Sequence, residues 1–452
     1  MAVFQEMQKT TEQRVKGDLF VLLCLFLINL ALFWPGVMTP DSGSQYQQAL
    51  SGVYSDHHPP MMSFLWHYLA KIYPGPGLIY FLQLTLLYLS LFITLKTTSI
   101  FTNFKKRPVL LFLIFFIPWW PQILLYAMQI QKDNFFAFSF FLVAAILANF
   151  TLTERKIKWP VILVLIILII YGSSVKYQAQ FCAPILLTWL SFLLRRSNKL
   201  LPKVLMTILV IIGILSGIHV INKILVPESQ KSYSWQYVKL YDLAAISIGS
   251  EEDLIPGFNK TKYYSFNALK QKFQASAVDP YIFPEDSILK KSSVPLERDQ
   301  LWMAWARAVT KHPFLYLKHR ARNFGYCLMS RVGFEFFQQF LTHVVDSKSV
   351  IFAIIYPIMG LLGYIFLSQF PVVILGIAYF MASIIYWRKS KVAPIIFGFT
   401  SIAMLMLVII FFMSMAGTPR YIYVSVVMIH ACHLFVMRMY QEARVSRLGC
   451  IS

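Results

Sequence analysis

Charge is what this 452-residue sequence has least of: 13% of its residues are charged, with 20 acidic side chains against 41 basic ones. A soluble domain carries about a quarter charged residues to keep its surface in water, so the shortage excludes an ordinary water-soluble globular protein. Cysteine is sparse too. The five cysteines, at 24, 182, 327, 432 and 450, form no CxxC and no close pair, which excludes a disulfide framework and a thiolate metal site. No small-residue cleavage site follows the first apolar run, Leu19 to Phe33, so that run reads as a retained span. No inverted repeat of the transporter kind is visible.

What the chain has instead is apolar surface: 58% of residues are hydrophobic and the mean hydropathy is +0.60. Crossing a bilayer takes about 20 apolar residues. Long unalternating runs point to helices rather than a barrel. Spans are expected near 19–35, 78–95, 108–126, 135–152, 160–175, 181–194 and 204–225, and then near 364–387, 392–413 and 421–438. The segment 349–362 reads as a re-entrant or interfacial helix, because the basic stretch Arg388-Lys389-Ser390-Lys391 belongs on the cytoplasmic side. The result is an all-α polytopic membrane protein of about 10 (10–12) spans. It divides into an N-terminal membrane module (1–225), an outer segment (226–347) and a C-terminal membrane module with its tail (348–452). Basic loops around Lys105-Lys106-Arg107, Arg155-Lys156-Ile157-Lys158 and Arg195-Arg196 put both termini in the cytoplasm. The formal charge of +21 sits at the ends of apolar runs, where lipid headgroups are the nearer partner, so nucleic acid is set aside. The aromatic-basic stretch Trp302 to Arg331 suits a helix lying in the interface. The runs Phe115-Phe116, Trp119-Trp120 and Phe135-Phe136 read as lipid-facing or belt aromatics. His430 and His433, one turn apart, read as polar groups bonded between helices.

The densest polar cluster outside the outer segment follows the first span, in the loop 36–76. It holds Asp41, Ser42, Gln45, Tyr46, Asp56, His57 and His58, ending in Pro59-Pro60. Two carboxylates and two imidazoles at a membrane mouth suit acid-base chemistry or a divalent cation. Two plainer readings stand beside this one: Asp41, after Pro40, caps the helix that starts at Ser42, and Asp56 begins a turn. Lys132 pairs with Asp133 on a wet loop or meets an anion. Lys176 is an interface anchor or a ligand. Arg420 breaks the positive-inside trend and points to function.

The loop resembles the first outer loop of the GT-C superfamily of membrane glycosyltransferases, more narrowly its bacterial members related to the protein mannosyltransferases. An acidic residue, a short Gln/Tyr/Ala helix, a Gly and a His-Pro-Pro turn lead into the next span. Gln131-Lys132-Asp133, Tyr241-Asp242 through Ser247, Trp305 to Phe324 with His312-Pro313, and Gly417-Thr418-Pro419-Arg420-Tyr421 are similar to further segments of such enzymes. This chain departs from them in having Asp41-Ser42 for Asp-Glu and His58-Pro-Pro for Lys-Pro-Pro.

The resemblance implies sugar transfer from a polyprenyl-phosphate carrier to a hydroxyl of a cell-envelope lipid, glycan or protein. The setting is the outer face of a bacterial inner membrane, with membrane lipids as surroundings. It implies Asp41, Asp56 and His58 as catalytic residues, Asp41 being the general base. Lys132, Lys176 and Arg420 would bind the donor phosphate, and Gln45, His57, Asp133 and Tyr421 would line the pocket. A divalent cation such as Mg or Mn, on Asp56 and His58, is a further expectation. The competing classes are a lipid-linked glycan ligase or polymerase, whose basic groups would sit in a large late loop, and a non-catalytic carrier of lipid-linked sugar.

Overall fold

The computed structural model describes residues 2–99, 115–194, 200–329 and 368–448, with positions 108, 112, 353 and 357. Expectations resting on Lys105, Lys106, Arg107, Arg195, Arg196, Arg331, Cys450, the segment 349–362 and the starts of the runs at 108 and 364 lie outside the described residues.

The described residues are mostly helical, with one short strand pairing and three isolated β-bridges. Helix α1 (Ala2–Phe33) leads through β1 (Val37–Met38) into α2 (Pro40–Ser51) and α3 (Met61–Ile72). Next come α4 (Gly77–Ser99), a short α5 (Pro121–Ala127) and β2 (Gln129–Ile130). They are followed by α6 (Lys132–Thr153), α7 (Trp159–Ser174), α8 (Ala179–Leu194) and α9 (Leu200–Leu225). A middle segment carries α10 (Trp235–Ser250), α11 (Phe266–Lys272), α12 (Asp279–Ile282), α13 (Pro295–Lys311) and α14 (Pro313–Met329). Helices α15 (Phe370–Ile385), α16 (Ala393–Met413) and α17 (Tyr423–Leu448) complete the described chain. Among the described residues, five stretches are long and apolar enough to cross a membrane: Gly77–Thr98, Lys132–Thr153, Thr207–Leu225, Ala393–Met413 and Pro419–Tyr440. Four shorter apolar helices accompany them: Gly17–Phe33, Trp159–Ser174, Ala179–Leu194 and Phe370–Ile385.

The apolar pattern explains the packing. Helix α6 is apolar on every side, and such a helix is stable only when surrounded. It packs against α4, α7, α8 and α17, and Phe135, Phe136, Phe138, Phe140 and Phe141 are all buried. The expectation that Phe135 and Phe136 face lipid is therefore corrected: they are core. Ser90 and Thr94 of α4 are inside, where they donate to the carbonyls of Leu86 (2.6 Å) and Ser90 (2.8 Å) and need no outside partner. Outward-facing positions carry Leu209, Ile212 and Ile224 on α9, Leu163 and Ile167 on α7, and Ile377 and Met381 on α15. Apolar outside with bonded polar groups inside is the distribution that a lipid surrounding favours. His430 and His433 bond one another (3.1 Å), with Gln122 of α5 (3.2 Å) and Tyr379 of α15 (2.7 Å) at the two ends, as their one-turn spacing suggests.

The middle segment has its own small core, including Leu240, Tyr241, Leu243, Tyr281, Leu289 and Leu301. The aromatic-basic stretch is two helices rather than one. Pro313 disfavours helical geometry at His312, and α13 ends at Lys311. Helix α14 buries His319, Arg320 and Asn323, while Phe314 is 85% and Met329 67% exposed. That inverted face suits an apolar surrounding.

Candidate active site

Two chain segments far apart in sequence are brought together by the strand pair. β1 and β2 run parallel, with Val37 opposite Gln129 and Met38 opposite Ile130. The Val37 amide also donates to the Met128 carbonyl at 2.9 Å. Each strand runs straight into a helix, so Asp41 in the first turn of α2 and Lys132 at the start of α6 emerge at the same end. Gln83, buried on α4, locks β2 by donating to the carbonyls of Ala127 (2.8 Å) and Gln129 (2.9 Å).

Asp41 does not cap its helix. Thr39 does, through a capping box: Ser42 N donates to Thr39 Oγ1 (3.2 Å), and Thr39 N donates to Ser42 Oγ (2.6 Å). The Asp41 side chain is thereby left for other partners. Its Oδ2 meets Lys132 Nζ at 3.3 Å and an Arg420 guanidinium nitrogen at 3.1 Å, and Oδ1 lies 3.8 Å from His58 Nε2. Lys132 also donates to His58 Nδ1 at 2.7 Å. An ammonium can only donate, so Nδ1 must accept and the imidazole proton sits on Nε2, facing Asp41. Burial alone would raise the Asp41 carboxyl. The charges of Lys132 and then Arg420 outweigh it and hold the group well below the usual carboxylate range. His58 is shifted down, first by burial and then by Lys132, and is neutral.

The other expected residues surround this centre. Lys176 is buried and forms an ion pair with Asp133, so Asp133 serves Lys176 rather than Lys132. The Tyr421 ring has Lys176 Nζ and the Arg420 guanidinium each 5.3 Å from its centroid. Gln45, one turn after Asp41, is buried with both amide atoms unpartnered. Asp56 serves another structure: its Oδ1 accepts from Ser232 N and from Ser232 Oγ (2.6 Å), fastening the loop to the middle segment. His57 bonds Ser234 Oγ at 3.1 Å on the same segment. Its pKa is lowered by burial and then by Lys132.

Three further residues shape the site: Asp279 carried no sequence signal, while Arg320 and Asn323 fall in the aromatic-basic stretch without a role read for either. Asp279 lies within electrostatic reach of Arg420 and Asp41, with its carboxyl raised by burial. Arg320 and Asn323 hold the loop that delivers Arg420, through bonds to Ser414 O (2.5 Å, from Arg320) and Ser414 Oγ (2.7 Å, from Asn323). The same loop is gripped from the middle segment, where Val278 N donates to Met415 O (3.1 Å) and Gly417 N to Ser276 O (2.6 Å). Gly417 has no room for a side chain, since a Cβ there would stand 2.8 Å from the Asn323 carbonyl and clash with Tyr326. Gly417→Ala is expected to push the loop off α14 and to cost about 1–3 kcal/mol of stability, as overpacking does. Thermal unfolding in bilayers checks it, and an unchanged midpoint would mean that the loop yields freely.

A divalent cation finds a poor donor set here. Asp41 already shares its carboxylate with two cations, Asp56 is bonded to Ser232, and among the described residues no three His, Cys, Asp or Glu side chains converge to hold a metal. Chemically, the arrangement offers an anionic oxygen for a proton, two cations for an anion, and an N–H donor. No family model, no curated protein and no solved structure matches this chain.

Proposed function

We propose that the protein is a membrane glycosyltransferase of the GT-C kind that moves a sugar from a polyprenyl-phosphate carrier to a hydroxyl of a cell-envelope lipid, glycan or protein. The observation that carries the reading is the meeting of Asp41, Lys132 and Arg420, contributed by three separated stretches of chain, beside a polar segment with its own core. On this reading about ten helices span a bacterial inner membrane, both termini are cytoplasmic, and the site faces outward with membrane lipid around it.

In the reaction, the acceptor oxygen forms a bond to the anomeric carbon while the bond from that carbon to the phosphate oxygen breaks. The bonding pair leaves with the polyprenyl phosphate, and the hydroxyl proton passes to an Asp41 oxygen. Lys132 and Arg420 bind the charge that grows on the leaving phosphate, which lowers the barrier. His58, held as the Nε2–H tautomer by Lys132, stands 3.8 Å from the Asp41 carboxylate and lines its side of the site. The buried Lys176–Asp133 pair supports the Tyr421 ring from beneath.

The test is transfer of labelled sugar by purified protein in bilayers, comparing a panel of polyprenyl-phosphate sugars with nucleotide sugars. Transfer from a lipid-phosphate donor alone is the expected result, and the productive donor identifies the sugar. Transfer from none, together with movement of such lipids between leaflets, would replace the catalytic reading with that of a carrier.

A further inference from the structure

One oxygen of the Asp41 carboxylate takes both Lys132 (3.3 Å) and Arg420 (3.1 Å), the two cations the glycosyltransferase reading gives to the donor phosphate. A base paired to two cations is a weak base, because each cation stabilises the unprotonated form. Two phosphate-binding cations engaged by a carboxylate are correspondingly poor anion ligands. Both facts have the same remedy.

We propose that the donor's phosphate displaces Asp41 from Lys132 and Arg420, so that binding of the donor itself switches the general base on. The proposal rests on the glycosyltransferase reading and adds a regulation of its site. Before the donor arrives, Asp41 is ionised but held idle, and water in the mouth meets no active base. When a phosphate shares the two cations, Asp41 loses most of its pairing. It can then accept the acceptor's proton. When the polyprenyl phosphate leaves, Lys132 and Arg420 return to Asp41 and the extra proton is expelled to solvent. The cycle closes with no net change in the protein.

The surroundings fit such an exchange. Lys132 opens α6, a 22-residue helix whose N-cap Gln131 makes no side-chain cap bond, and a helix start favours an incoming anion. The Gln45 Nε2, one turn after Asp41, is a buried donor without a partner. The other charged or titratable groups facing Asp41 do not take over its pairing. Lys176 is committed to Asp133, His57 is turned to Ser234, and Asp279, itself acidic, adds only repulsion.

The exchange makes a prediction opposite to that for an ordinary contact residue: removing the Asp41 charge should improve phosphate binding. The probe is radiolabelled undecaprenyl phosphate, titrated onto wild type and Asp41→Asn in phosphatidylcholine nanodiscs. The variant is expected to bind at least about tenfold more tightly, one pKa unit of released competition. A second arm uses wild type alone. Carbodiimide labels only the protonated carboxyl, so its rate at Asp41 at pH 5, read by peptide mass spectrometry, is expected to rise about tenfold when undecaprenyl phosphate saturates the site. Wild-type binding with equal or weaker binding by the variant overturns the switch and leaves the donor reading intact. Binding by neither protein removes both. Should the variant not fold, an unchanged labelling rate in saturated wild type overturns the switch by itself.

Discussion

Asp41→Asn is expected to lower the rate of sugar transfer at saturating donor by about 10²–10⁴-fold, the range a positioned general base supplies. The substitution keeps the side chain's size and removes its negative charge and its ability to take a proton. It spares the helix start, because the cap is built from Thr39 and Ser42. Folding is therefore expected to survive, though Lys132 and Arg420 lose their counter-charge. The rate loss should appear in kcat, while the donor's apparent affinity rises by the exchange argued above. Initial rates across donor concentrations separate the two quantities. A variant that transfers within about threefold of wild type would show that the proton goes elsewhere, and the carboxyl of Asp279 would be the next group to test.

Asp242→Ala is expected to cost about 3–5 kcal/mol, the largest stability effect of any single change considered, because it leaves a buried arginine without its counter-ion. Asp242 and Arg320 are both fully buried, and Asp242 Oδ2 accepts from Arg320 at 2.6 Å and from Trp305 Nε1 at 2.8 Å. His319, 3.6 Å from the other oxygen, is pushed down to a pKa of about 3 by burial and then by Arg320, so it brings no compensating charge. The loss should spread, since Arg320 also holds Ser414 and thereby the loop that carries Arg420. Thermal unfolding and limited proteolysis of the middle segment measure it. The double change Asp242→Leu with Arg320→Met is expected to recover much of the loss, because it removes both buried charges together. A single variant as stable as wild type would mean that water or lipid phosphate reaches Arg320.

The helices were legible because hydropathy alone marks them: the five long stretches coincide with apolar runs visible in the sequence. The polar loop after α1 stood out for the same reason, as a dense polar patch in an apolar chain. What the sequence could not convey was pairing. Asp41 reads equally well as a cap or as a free carboxylate until the Thr39–Ser42 box is seen. Asp133 stands next to Lys132, yet it pairs with Lys176, because at the start of a helix consecutive side chains point in different directions. Phe135 and Phe136 have the composition of lipid-facing residues and the position of core ones, and no local pattern separates the two. Gln83 looks like a stray polar residue in a span, although it holds β2 in register. The Thr39–Ser42 box is local, but the Lys176–Asp133 pair and the Gln83 bonds join residues 43 to 46 positions apart.

The bond from Arg320 to Ser414 has a consequence for how the chain is made. The two residues are 94 positions apart, so at a synthesis rate of about 5–20 residues per second the arginine waits on the order of ten seconds for its carbonyl. During that interval Asp242, made earlier, can hold one edge of the guanidinium, while the other edge lacks the Ser414 carbonyl. The middle segment can therefore reach its final seat only after α16 and Ser414 have been made. A ribosome stalled just before residue 414 would display a nascent chain whose middle segment is still open to protease, and release past that point would close it.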